Sequence, residues 1–277
     1  MDSVQLGQEG WQEEHRLILG LIQNELGWSY EGYSMPSLER QINRVARDLC
    51  DGDSLALLRW LQFSPRKRAR LLRDALTVNV TDLFRDPEFF LDLKQQCFGY
   101  LSEFPQIKIW LAGCSTGEEA FSLAIMLHEA GLLKRTEILA TDLDFACLRH
   151  ARSGVLSGPL ARQEAERYRN SGGQASLLEY FSLSYGLSKL RQELLDHIHF
   201  AQHGLRGTAP GEQFHMVLCR NVMIYFGADL KSRVLQGFYQ SLIPRGYLCL
   251  GNKESIEFPK GVELHQLSRH RIYRIQR

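Results

Sequence analysis

The stretch IKIWLAGCSTGEEAFSLA, residues 107 to 124, decides the reading of the fold. An apolar run, Ile107 to Ala112, breaks into a small polar turn built on Gly113, Ser115, Thr116 and Gly117, and Glu118 and Glu119 then open a helical pattern. Strand, glycine turn and helix form the unit with which doubly wound sheets bring backbone N–H groups close to a ligand. The spacing Gly113-x-x-x-Gly117 fits neither the G-x-G-x-x-G of dinucleotide sites nor a phosphate-cradling loop, and two glutamates would repel a pyrophosphate. They suit a cationic group such as an ammonium. Asp142 ends the next apolar run, 25 residues after Gly117, near the distance at which an acidic side chain grips ribose hydroxyls. A ribose without pyrophosphate, joined to a cationic tail, describes S-adenosylmethionine. The same residues also read as a plain strand-to-helix turn with a favourable charge pair at a helix start, and Asp142 as a strand-end cap.

Outward from this stretch, short apolar runs alternate with amphipathic helical segments, which predicts an α/β fold with a doubly wound, mostly parallel sheet. The expected strands are IKIWLAG, EILATDL, FHMVLCR, GYLCLG and HRIYRI, and the expected helices SLAIMLHEAG, FACLRHARSG and DLKSRVLQGFYQSL, with Gly131 and Gly154 as stops. Residues from about 155 to 200 fit the alternation poorly, and their glycines Gly158, Gly172, Gly173 and Gly186 suggest an insertion with short strands. Residues 1–76 lack β-branched runs and read as a small helical domain, with Leu17, Leu21, Ile22 and Leu26 on one stripe of a first helix. A second helix carries Arg40, Arg44 and Arg47 on one face; a third, from Ser64 to Leu76, carries Arg66, Lys67, Arg68, Arg70 and Arg73. Residues 77–90 are expected to link this domain to a major domain over 91–277 and to contribute to its ligand site.

Composition narrows the function classes. With 44% apolar and 23% charged residues among 277, and no apolar run of bilayer length, a globular protein without membrane insertion is expected. The start, MDSVQLGQEGWQEEH, lacks the basic and apolar segments of a secretory signal, and six cysteines stand singly with no CxxC pair, so reduced thiols and a cytoplasmic location are expected. A net charge of +1 gives no general attraction to nucleic acid, and His197, His199 and His215 lack metal-ligand spacing. No metal and a monomer are expected.

Five motifs in order, NVTDLFRDPEFF, WLAGCSTGEEAFSLA, ATDLD followed by LRHARSG, RQEL before HIHFA, and LCRNVMIYF, resemble the chemotaxis-type (CheR) protein-glutamate O-methyltransferases over nearly the whole chain. The resemblance implies a class I S-adenosylmethionine-dependent methyltransferase fold. It also implies an enzyme that methylates glutamates of a helical chemoreceptor or related signalling protein and releases S-adenosylhomocysteine. On that basis Asn79, Thr81 and Arg85 sit beside the cofactor. Gly113 belongs to its loop, Glu119 and Glu118 hold its amino group, and Asp142 its ribose. Arg220 and Asn221 line the same pocket, Gly204 and Leu205 fall in the adenine region, and Arg85 and Tyr225 stand at the transferring methyl. The arginine face of Arg40, Arg44 and Arg47 is the expected contact for an acidic receptor.

The chemistry agrees with these assignments. A glutamate carboxylate is ionised near neutral pH, so its methylation needs alignment more than a strong base. The family pattern is departed from where an Asn-Leu pair is replaced by His203-Gly204-Leu205, where His215 replaces an aspartate, and at Ala120 and Phe121. The first of these, in the adenine region, motivates a second reading, a catalytically weak module that binds the cofactor within a signalling complex.

Overall fold

The computed structural model describes residues 13–76, 81–156, 158, 160–184, 186–207, 209–211, 213–254 and 257–276. Asn79 and the rest of residues 77–80, the start of the 77–90 connection expected beside the cofactor, lie outside them. The chain divides into two compact units, Met1–Val78 with Tyr225–Leu230, and Asn79–Ile224 with Lys231–Arg277.

The first unit holds helices α1 (Glu13–Leu26), α2 (Met35–Cys50), α3 (Ser54–Gln62) and α4 (Pro65–Leu76). Proline stands in the first turn of α2, where its missing N–H costs nothing, and Asp53 caps α3 by accepting from Leu55 N at 2.8 Å and Ala56 N at 3.1 Å. The core gathers Ile18, Ile22, Leu38, Ile42, Leu57, Leu61 and Leu72. The stripe expected on α1 is displaced: His15, Ile18 and Ile22 are buried, whereas Leu17 is 50% exposed. Ile22 is four residues from Ile18 and five from Leu17, and only the former spacing keeps a helical face. Helix α3 was absent from the sequence expectation.

The first helix of the second unit is α5 (Pro87–Leu101), so the PEFF read as part of a connection is a first helical turn. There follow β1 (Ile107–Ala112), α6 (Glu118–Glu129), β2 (Thr136–Asp142), α7 (Phe145–Ser153), α8 (Arg162–Asn170), β3 (Phe181–Ser184), β4 (Leu187–Leu190), α9 (Gln192–Leu195), β5 (Ile198–Gln202), β6 (Phe214–Cys219), α10 (Ala228–Ser241), β7 (Leu242–Leu250), β8 (Leu264–Ser268) and β9 (Ile272–Ile275). Seven strands form one sheet in the order β5-β2-β1-β6-β7-β9-β8, parallel from β5 to β7 and antiparallel across β9 and β8. The doubly wound, mostly parallel sheet expected from the alternation is present. Gly154 at φ 68° ends α7, as expected, by left-handed backbone.

Both faces of this sheet are covered, which explains the near-continuous apolar runs of its inner strands. Ile107, Ile109 and Leu111 enter a core with Phe89, Phe90 and Phe121, while Trp110 on the opposite face packs at 5.2 Å from Phe238 and donates from Nε1 to Thr141 Oγ1 at 2.9 Å. Strand β5 and the β8 edge escaped the sequence expectation; the expected insertion contains the β3–β4 hairpin and also α8.

Candidate functional site

Chain order reverses between β1 and β6, and in open parallel sheets such a switch point opens a crevice at the strands' carboxyl ends. The loops that leave β1, β2 and β6 meet there within the second unit. Gly113 N and Cys114 N donate to Thr141 O at 2.7 and 2.9 Å, which folds the β1 loop over the end of β2. Gly113 has φ 85°, and a Cβ on it would stand 2.4 Å from Val222 Cγ2 of the β6 loop, so two loops approach through the missing side chain.

Asp142 joins the first two loops. Its Oδ2 accepts from Ser115 N at 2.8 Å and its Oδ1 from Asp144 N at 2.9 Å. Burial raises its carboxyl above the ordinary range, against the pull of these backbone donors. A carboxylate offers about four lone-pair positions, so acceptor capacity remains for a hydroxyl donor. Glu118 is 7% exposed and accepts from Thr116 Oγ1 at 2.6 Å; burial raises its carboxyl as well.

Glu119 is already engaged. One of its oxygens accepts from Arg220 Nη1 at 3.0 Å, and Arg220 Nη2 donates to Asp86 Oδ2 at 2.7 Å and to Arg85 O at 3.2 Å. The Arg220 side chain is 1% exposed and lies with its guanidinium carbon 3.9 Å from the Phe89 ring centroid. The sequence reading placed Arg220 on the pocket wall; the structure makes it the buried tie between α6, the 81–86 loop and the β6 loop. Asn221 follows at φ 59°, and a Cβ on Gly251 would come within 2.7 Å of its backbone nitrogen.

Thr81 and Arg85 are half-buried in the loop before α5. That loop turns at Phe84 (φ 51°) and Asp86 (φ 58°), and Phe84 N donates to Ser122 Oγ on α6 at 2.8 Å. Among the described residues eight non-glycine positions have positive φ, and four of them, Phe84, Asp86, Ser115 and Asn221, belong to these loops. Such residues cost about 1–3 kcal/mol each and persist only where the surroundings over-determine them, a pattern typical of ligand sites.

Gly204 packs beside Leu143: a Cβ there would lie 3.2 Å from Leu143 Cδ1, and His203 N donates to Asp142 O at 3.0 Å. Leu205 continues the same turn, half-buried. The departure from the family pattern therefore falls next to Asp142. Tyr225 ends the short 3-10 turn Met223–Tyr225 and belongs to the first unit, where its carbonyl accepts from Ser34 N at 2.8 Å. The arginine face is amended. Arg40 and Arg47 are exposed, but Arg44 is half-buried and donates from Nη2 to Ala75 O at the end of α4.

Glu254, missed by sequence reasoning, is fully buried and accepts from Val222 N, Met223 N and Gly251 N at 3.0, 3.1 and 3.0 Å. It fixes the β6 loop, and burial raises its carboxyl. Its only trace in the sequence is a lone glutamate after a strand-ending glycine. Ser122 was equally silent.

Taken as chemistry, the crevice offers three carboxylates, spare acceptor positions on Asp142 and a set of strained backbone turns. It suits a ligand with vicinal hydroxyls and a cationic end. Residues 79–271 match the family of the CheR methyltransferase SAM-binding domain. A Pseudomonas putida protein named as the methyltransferase Cher3 is 39% identical over 245 residues, spanning 88% of this chain and 89% of that protein. The chemotaxis protein methyltransferase of Listeria monocytogenes is 32% identical over 195 residues, 70% of this chain and 71% of that one. The one from Escherichia coli K12 is 33% identical over 215 residues, 74% of this chain and 70% of that one.

Proposed function

The chain belongs to the CheR methyltransferase family, and from that membership we propose that it methylates glutamate side chains of a helical chemoreceptor or related signalling protein, forming glutamyl methyl esters. It is an S-adenosylmethionine-dependent methyltransferase. The cofactor, when bound, supplies a methyl group made electrophilic by a sulfonium sulfur.

The observation that carries the reading is the donor set at the switch point, which fits this cofactor. Asp142 keeps acceptor capacity for ribose hydroxyl donors beside its backbone bonds. Glu118 and the second oxygen of Glu119 answer an ammonium, and the crevice's negative charge favours a cationic ligand over the anionic phosphates that otherwise bind at such turns. Gly204 and Leu205 leave the adenine edge to backbone groups. Thr81 and Asn221 complete the surround; Asn79, which the family resemblance adds to it, lies outside the described residues.

Toward substrate, Arg85 orients the accepting carboxylate by a forked hydrogen bond, and Tyr225 adds a hydroxyl contact without a full charge. The carboxylate is ionised already, so neither residue has to act as a base. What the protein supplies is alignment and partial exclusion of water, effects that lower barriers by about 7–11 kcal/mol in favourable cases. The names of the relatives point to chemotaxis proteins as substrates. Exposed Arg40 and Arg47, with Arg66, Lys67 and Arg70, give the first unit a positive surface for an acidic receptor helix.

Labelled methyl transfer tests the proposal. Incubation with tritiated cofactor and chemoreceptor-bearing membranes is expected to yield protein-bound label that is lost as methanol in base. Cofactor binding without base-labile label would sink it and favour the weakly catalytic binding module. Label in free carboxylic acids, at the expense of protein, would point to a small-molecule enzyme. Arg85→Ala is expected to lower turnover far more than cofactor affinity.

A further inference from the structure

Helix α8 of the insertion reaches the loop that carries Arg85 in two places. Arg167 Nη1 lies 3.3 Å from Asp82 Oδ1, an ion pair without hydrogen-bond geometry at a partly exposed site. One residue on, the Tyr168 ring packs on Phe84 with 5.1 Å between centroids. Phe84 is the left-handed residue directly before Arg85. It is fully buried, touches Phe90 from another side at 5.5 Å, and is held at its nitrogen by Ser122. A bulky side chain at positive φ needs such support from every side.

Tyr168 is itself immobilised. Its hydroxyl donates to Glu129 Oε1 at the end of α6 and accepts from Ala175 N at 3.0 Å. Tyr180 donates to the same oxygen at 2.8 Å and Gln174 N at 3.2 Å, so a single carboxylate oxygen gathers three donors from the insertion. A Cβ on Gly173 would fall 2.2 Å from the Tyr168 ring, so the turn after α8 is shaped to admit that ring. Burial and the Glu129 contact raise the Tyr168 phenol, keeping it a donor throughout the neutral range. Helix α6 thus holds the insertion at its C-terminal end and the cofactor carboxylates at its N-terminal end.

We propose that Tyr168 is a positioning residue for Arg85. Through its packing on left-handed Phe84, aided by the Arg167–Asp82 pair, the insertion fixes the loop from which Arg85 orients the substrate carboxylate. The insertion then completes the reacting geometry, and Tyr180, which leads directly into β3, ties the β3–β4 hairpin to the same anchor. This inference rests on the role given to Arg85 above.

A double-mutant cycle separates positioning from simple core packing. In the full-length enzyme, assayed with tritiated cofactor and the same receptor membranes, Tyr168→Leu is expected to lower kcat about tenfold or more, since small misplacements of an orienting group cost up to about 100-fold. Its cofactor affinity by calorimetry should change less than about threefold, and hydrogen exchange of amides 81–86 should quicken about tenfold. In an Arg85→Ala background the same substitution should cost no more than about twofold further. An equal loss of kcat in both backgrounds, or no loss in either while Arg85→Ala is impaired, overturns the positioning role. If Arg85→Ala alone turns over normally, the role of Arg85 fails first, a result that does not depend on Tyr168. Should Tyr168→Leu not fold, Asp82→Asn at a partly exposed site is read by the same cycle, with an expected loss of about threefold in kcat and none beyond that of Arg85→Ala.

Discussion

Replacing Arg220 by Met tests how the crevice is held open in the absence of ligand. The side chain is 1% exposed and meets two carboxylates, one carbonyl and the rings of Phe89 and Phe90. Methionine keeps much of the volume and the contact with Phe89, so the loss is mainly electrostatic. Asp86 is 38% exposed and regains water, which limits its share to about 0–1 kcal/mol. Glu119 is 13% exposed and would keep a largely desolvated charge; removing one partner of such a pair costs about 3–5 kcal/mol. That is a large part of a stability of about 5–15 kcal/mol, and at about 2–4 °C per kcal/mol for a unit of this size it lowers Tm by about 6–20 °C. The triple variant Arg220→Met, Glu119→Gln, Asp86→Asn removes the stranded charges and is expected to recover at least about half of the loss. Urea titration and calorimetry of the apo protein read both. A single variant within about 1 kcal/mol of wild type, or a triple variant no more stable than the single one, would refute the view that Arg220 works by charge compensation.

Other consequences are as direct. Gly113→Ala must either displace Val222 or abandon φ 85°, so cofactor affinity by calorimetry should weaken about tenfold or more, with stability down by about 1–3 kcal/mol; unchanged affinity would contradict the close approach of the two loops. Burial raises Glu118 in the free protein, whereas a bound ammonium favours its ionised form and lowers its pKa, so binding should release protons and tighten as pH rises through the raised pKa. Calorimetry near pH 5 in two buffers of different ionisation enthalpy should record that release, and proton uptake would contradict it. Reversing Arg40, Arg47, Arg66, Lys67 and Arg70 together should raise KM for receptor while leaving cofactor affinity unchanged. Single reversals should each shift binding by only about 0.2–1 kcal/mol. Normal methylation by the fivefold variant at both low and high salt would reduce this face to solvated surface.

The sheet was legible because its inner strands are buried on both faces and so form unbroken apolar runs, as in IKIWLA and FHMVLC. Strand β5 was harder to read. IHFAQ lies at the sheet edge with an exposed His199 and Gln202, and neither length nor period sets it apart from the insertion before it. Helix α8 escaped for another reason: RQEAERYRN buries only Tyr168, so no apolar stripe announces it. Periodicity reports burial against a core. It is silent where an element is held by one ring and a few polar contacts.

The acidic pair shows the same limit within the site. Read along the chain, Glu118 and Glu119 are equivalent, two adjacent charges at a helix start with one evident purpose. In the fold they part: Glu118 turns to Thr116 under burial, while Glu119 meets an arginine 101 residues away, next to a loop 33 residues before it. Spacing can suggest which charges face a ligand, because that follows from a strand, a turn and a helix in sequence. It cannot reveal the groups that hold the surrounding loops in place, Arg220, Glu254 and Ser122, because their partners Glu119, Val222 and Phe84 are brought near only by the fold. Local pattern carries the ligand-facing half of the site, and the supporting half exists only in three dimensions.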